Sequence, residues 1–125
     1  MRIVIADDNP AVLRQWIVLL QDQFEVIAAA RDGLTAFEYI SRYLPDVAVL
    51  DLRIPSMDGL EVTQRLKDAG VVTAIVICSI ETGQEFIDSA LEAGALGYVF
   101  KYTMVSDLIL AVYAAARGES FVSAL

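Results

Sequence analysis

Five polar residues of this chain stand where apolar runs end, and their types fit one kind of chemistry. IVIA at 3–6 is followed by Asp7 and Asp8, VAVL at 47–50 by Asp51, AIVIC at 74–78 by Ser79, and YVF at 98–100 by Lys101. A carboxylate that can act as nucleophile (Asp51), two more that can carry a metal (Asp7, Asp8), and a hydroxyl and an ammonium that can donate to oxygens (Ser79, Lys101) are the parts needed to move a phosphoryl group onto a carboxylate. Three acids gathered together repel: at ~4 Å and an effective dielectric near 20, each pair costs about 4 kcal/mol. One lysine does not balance three acids, but a lysine plus a hard divalent ion does. Mg²⁺, or Mn²⁺ in its place, uses carboxylates, water and phosphate oxygens as ligands.

The chemistry requires that these residues meet, and the rest of the sequence supplies elements to bring them together. The runs at 3–6, 26–30 (VIAAA), 47–50, 74–78 and 98–100 are continuously apolar rather than alternating, the pattern of strands buried on both faces of a parallel sheet. Between them lie stripes with helical spacing: Leu13, Trp16, Ile17 and Leu20; Leu34, Phe37 and Ile40; Val62 and Leu66; Phe86, Ile87, Ala90 and Leu91; Leu108, Ala111, Val112 and Ala115. Asn9 before Pro10 reads as a helix N-cap, and Gly70, Gly94 and Gly118 fall where helices should stop. Five successive strand-helix units imply a doubly wound α/β sheet, whose ligands bind at the carboxyl ends of the strands. All five polar residues are expected at that edge.

Composition narrows the function. A chain of 125 residues with 57% hydrophobic content is the size of one domain with a sizeable core. A net charge of −8 with only 9 Lys and Arg argues against direct nucleic-acid binding, which rests on neutralising phosphates with cations. The absence of histidine removes Ser/His and Cys/His catalysis, a His-based zinc site and any phosphohistidine formed on this chain. The single cysteine, Cys78, sits inside an apolar run and reads as core. The start MRIVIADD lacks the features of a signal peptide and no apolar run is long enough for a membrane span, so a cytoplasmic location is expected. Taken singly, each polar residue has an ordinary explanation: Asp8 or Asp51 as a helix cap, Ser79 as a satisfied hydroxyl, Lys101 as a surface charge. Four strand ends carrying the required types together favour the site.

These residues resemble a family. Asp7-Asp8 after the first strand, Asp51 within DLRIPSMDG, Ser79 after the fourth strand and GYVFK ending in Lys101 look like the receiver domain of bacterial two-component response regulators, over about residues 2 to 118. The resemblance implies a flavodoxin-like, five-stranded parallel sheet of order 2-1-3-4-5. It further implies that Asp51 accepts a phosphoryl group from the phosphohistidine of a sensor histidine kinase. Asp7, Asp8, Asp51 and the backbone carbonyl of Arg53 would hold Mg²⁺, with Ser79 as switch hydroxyl, Tyr98 as switch aromatic and Lys101 as the site lysine.

In many receivers a proline, often cis, follows the lysine; here Tyr102 stands there, so a trans bond and a different loop are expected. The tail, with ARGESFVS, resembles the NarL-type class, in which a helix-turn-helix DNA-binding domain follows the receiver. Residues 1–125 then read as a single receiver with the C-terminal output domain absent. The resulting expectation is a transcription-regulating phosphorylation switch, not an enzyme acting on other molecules, although it promotes its own phosphorylation and dephosphorylation. The alternative is an Mg²⁺-dependent phosphohydrolase with an Asp nucleophile; such enzymes commonly place a second acid two residues on, where this chain has Arg53. Two further expectations concern surfaces. Arg53 and Glu81, on loops flanking the mouth of the site, can bridge it. The last helix, expected over Val105 to Arg117, carries Ile109 and Tyr113 beyond its core stripe and is expected to contact a second receiver or the output domain.

Overall fold

The computed structural model describes residues 1–124; Leu125, the expected end of the domain, lies outside the described residues. The elements alternate: β1 (Arg2–Ala6), α1 (Pro10–Leu20), β2 (Glu25–Ala30), α2 (Gly33–Tyr43), β3 (Val47–Leu50), α3 (Gly59–Asp68), β4 (Ala74–Ser79), α4 (Gln84–Ala93), β5 (Gly97–Phe100), α5 (Met104–Ala116) and β6 (Phe121–Val122). All strands pair in parallel, in the order β2-β1-β3-β4-β5-β6. The expected order 2-1-3-4-5 is present, extended by a two-residue strand at the β5 edge that the apolar runs do not announce.

Pleating sorts each strand's side chains between two cores. Val4, Ala6, Ala48, Leu50, Ile75, Ile77, Tyr98 and Phe100 face α2, α3 and α4. Ile3, Ile5, Val47, Val49, Val76, Cys78 and Val99 face α1 and α5. This two-sided burial is why the runs are continuous rather than alternating. Cys78 is buried in the second core, and burial pushes its thiol up to about 12, so it behaves as a small apolar side chain.

Helix punctuation follows the local chemistry. The Asn9 side chain accepts from the Ala11 N–H to cap α1, and Asp32 and Asp58 cap α2 and α3 in the same way. Gly94 ends α4 with φ +113°, in the left-handed region that favours glycine. Two stripes need correction. In α2 the buried face is Gly33, Ala36 and Ile40, and Leu34 is 48% exposed, because the start of the helix packs on the Met57 backbone, where only a glycine fits. In α4 Ile87 and Ala90 are buried, whereas Leu91 is exposed at its edge.

The last helix starts one residue earlier than expected, directly after a 3₁₀ turn at Lys101–Thr103, and the peptide bond after Lys101 is trans. Its Ile109 and Tyr113 are half-buried against the α1/α5 core; the Tyr113 ring lies 4.8 Å from that of Phe24, and its hydroxyl donates to Gln23 Oε1 at 2.6 Å. Among the described residues, the large apolar side chains that this end of the chain leaves outward are Tyr102, Val105, Leu110 and Val122. No helix among the described residues is long and apolar enough to cross a membrane.

Candidate functional site

Register decides which side chains meet. Ala6 of β1 pairs with Leu50 of β3, and Leu50 with Ile77 of β4, so Asp7 and Asp51 leave adjacent strands at the same level. Ser79 pairs with Phe100 of β5, which puts Lys101 just beyond it. The Asp7 N–H donates to Ala30 O at 3.1 Å and the Asp51 N–H to Ala6 O at 2.9 Å, which fixes both backbones before their side chains turn into the site.

Lys101 Nζ donates to Asp7 Oδ2 at 2.7 Å and lies 3.5 Å from Asp51 Oδ1. One carboxylate oxygen from each of Asp7, Asp8 and Asp51 falls within 4.8 Å of the others. Asp7 and Asp51 are buried and Asp8 is exposed, so the cluster opens to solvent on the Asp8 side. Asp8 is not a cap; that role is taken by Asn9, whose own N–H donates to Asp7 Oδ1 at 2.8 Å.

The electrostatics match this geometry. Burial pushes the Asp51 carboxyl up to about 6; Lys101 pulls against the rise and the charge of Asp7 adds to it. Burial disfavours the Lys101 ammonium, but the hydrogen bond to Asp7 and the charges of Asp51 and Asp7 outweigh it and hold it above its ordinary value. Three oxygen donors facing one ammonium leave surplus negative charge, which is the donor set of a hard divalent cation.

Ser79 and Tyr98 converge on the loop after β4. Ser79 is buried, and its Oγ accepts the Glu81 N–H at 3.0 Å, which leaves the hydroxyl proton for another acceptor. Tyr98 is fully buried with its ring edge toward Phe100, and its hydroxyl donates to Glu81 O at 2.8 Å. Arg53 pairs through Nε with Glu81 Oε1 at 3.2 Å, with the ring of Phe86 5.6 Å from its guanidinium.

Two supporting residues escaped the sequence reading. A Cβ on Gly59 would lie 2.5 Å from Asp51 O, so only glycine lets the start of α3 approach the Asp51 backbone. The Asp58-Gly59 pair is a visible cap signal, but nothing local says what the glycine packs against. Trp16 of α1 lies under the site lysine, its ring centroid 5.9 Å from Lys101 Nζ; sequence shows it only as one residue of a core stripe.

Residues 3–113 match the response regulator receiver domain family. The chain belongs to that family. Among its relatives, the oxygen regulatory protein NreC of Staphylococcus epidermidis is 36% identical over 125 residues, covering 98% of this chain and 57% of that protein. Among solved structures, the receiver domain of the response regulator NarL from Mycobacterium tuberculosis superposes with a TM-score of 0.91 at 32% identity, covering 94% of this chain and 97% of that one. A two-component response regulator of the LuxR family from Aurantimonas sp. SI85-9A1 gives a TM-score of 0.91 at 31% identity, covering 96% of this receiver and 87% of that chain. The receiver spans 57% of the length of NreC.

Proposed function

We propose that this receiver is a phosphorylation-dependent switch in which Asp51 accepts a phosphoryl group from the phosphohistidine of a sensor kinase. A carboxylate oxygen of Asp51 attacks phosphorus, the P–N bond to the donor histidine breaks, and that histidine regains a proton. Asp7, Asp8, Asp51 and the Arg53 carbonyl hold Mg²⁺ or Mn²⁺, which when bound offsets the negative charge that would repel an incoming phosphoryl group. Lys101, already between Asp7 and Asp51, donates to a phosphoryl oxygen, and Ser79 has a proton to donate to another. The observation that carries this reading is the side-by-side placement of Asp7 and Asp51 under one lysine, with Asp8 close enough to complete a three-carboxylate site.

The greater length of relatives such as NreC, and the transcriptional and DNA-binding regulators among the similar proteins, support an output role: residues 1–125 act as one receiver that governs a DNA-binding, transcription-regulating domain, in a cytoplasmic setting. Outward Val105 and Leu110 on α5 provide the contact with that domain or with a second receiver. The phosphohydrolase reading is disfavoured because the position two residues after Asp51 carries a cation paired with Glu81 instead of a second acid. Incubation with acetyl phosphate and Mg²⁺ separates the two. A switch takes up at most one phosphoryl group per chain and releases it slowly, whereas rapid turnover of varied phosphoesters would overturn the proposal.

A further inference from the structure

After α5 the chain turns at Gly118, where φ is +76°, and comes back along the edge of the sheet as β6. There Phe121 pairs with Gly97 and Val122 with Tyr98. The Ser123 N–H donates to Tyr98 O at 2.9 Å. The buried Ser123 hydroxyl accepts the Phe100 N–H at 3.1 Å and donates to Asp107 Oδ2 at 2.7 Å. Thr103 Oγ1 donates to the same carboxylate oxygen at 2.7 Å, and Ser106 Oγ lies 3.2 Å from the other. Burial pushes the Asp107 carboxyl up, but the Ser123, Thr103 and Ser106 hydroxyls outweigh it and hold the group below its ordinary value, so it accepts as a carboxylate at neutral pH.

The residues joined by this network bracket Lys101. Phe100 precedes it and Thr103 closes the 3₁₀ turn that begins with it. The ammonium is reached through a flexible four-carbon stem, so a loose backbone at its root would spread Nζ over many positions. We propose that Asp107 and Ser123 are positioning residues for Lys101, and that docking of residues 121–123 on β5 is thereby linked to phosphoryl transfer at Asp51. Loss of the Ser123 hydroxyl leaves the buried Phe100 N–H without its acceptor and frees one side of the turn.

This inference rests on the phosphoacceptor reading, so its test has an arm that does not. Trp16 is the chain's one tryptophan and lies beside Lys101 Nζ, so its emission reports the position of the ammonium. Without a phosphodonor, Ser123→Ala and Asp107→Ala are expected to move that emission in the direction set by Lys101→Met, while Ser123→Thr, which keeps the hydroxyl, retains the wild-type spectrum. With acetyl phosphate and Mg²⁺, both alanine variants are expected to label at least about five-fold more slowly than wild type, because misplacing a group that must meet the phosphoryl oxygens costs rate, with Ser123→Thr restoring it. If wild type takes no label, the phosphoacceptor reading fails and the emission arm alone decides. Wild-type emission in Ser123→Ala, with faster hydrogen exchange at the Phe100 amide showing that the bond has gone, overturns the proposal whether or not the chain can be labelled.

Discussion

Arg53 Nε stands 3.2 Å from Glu81 Oε1, joining the loop after Asp51 to the loop after Ser79. The Arg53 side chain is 64% exposed and that of Glu81 27%, so as a stabilising contact the pair is worth only ~0–1 kcal/mol. Its effect is expected in kinetics, through hindered in-line approach of water to a phosphoryl group on Asp51. Arg53→Ala and Glu81→Ala should each speed loss of phosphate, and the double variant should be no faster than the faster single, because both remove one bridge. Single-turnover dephosphorylation followed by intact mass checks this; unchanged rates in both single variants would reduce the pair to surface charge.

Glu81 is also held through its backbone, its N–H by Ser79 and its carbonyl by Tyr98. When Ser79 turns its hydroxyl to a phosphoryl oxygen, the Glu81 loop and the Tyr98 ring should respond together. Ser79→Ala is expected to keep labelling at Asp51 and to lose most of the phosphorylation-induced shift at Tyr98. Amide and aromatic NMR shifts of labelled and unlabelled protein provide the readout, and a full wild-type shift in the variant would rule out this route.

If Asp51 is part of the proposed cation site, proton and metal compete for it. Burial raises its carboxyl in the folded chain to about 6 from 3.8, so the folded state holds this proton more tightly than the unfolded state. Between those two values stability from this group falls as pH rises, since the native state binds more protons there. A divalent cation binds the deprotonated form. The gain in Tm on adding Mg²⁺ should therefore be larger at pH 7 than at pH 5. Equal gains at both pH values would mean that Asp51 is not part of the cation site.

Gly59 has no room for a side chain. Gly59→Ala drives a methyl against the Asp51 carbonyl, and overpacking of this kind typically costs about 1–3 kcal/mol. Denaturant unfolding should show a loss in that range, accompanied by slower labelling because the acceptor's backbone moves. A variant as stable as wild type would show that the start of α3 can shift freely.

The strands and the residues at their ends were legible because both follow from local pattern: a run buried on two faces must be continuous, and a polar residue that interrupts it at the carboxyl edge stands out. Asp7, Asp51, Ser79 and Lys101 emerged this way. Features that depend on a distant partner did not. Phe121 and Val122 are too few to read as a strand, and what makes them one is the free edge of β5. The small Gly33/Ala36 face of α2 was hidden by a helical stripe drawn through the larger Leu34. Ile109 and Tyr113 read as outward because α5 is apolar around much of its girth, yet Phe24 and Gln23, beyond the end of α1, cover part of Tyr113.

The direct test of the phosphoacceptor assignment is the location of the acyl phosphate after incubation with acetyl phosphate and Mg²⁺, by peptide mass spectrometry on wild type and Asp51→Asn. The substitution keeps the side chain's shape and removes the nucleophile. One phosphoryl group on Asp51 in wild type, its absence when the divalent ion is chelated, and no label in Asp51→Asn are the predicted results. Equal labelling of Asp51→Asn and wild type would contradict the assignment of Asp51 as the acceptor.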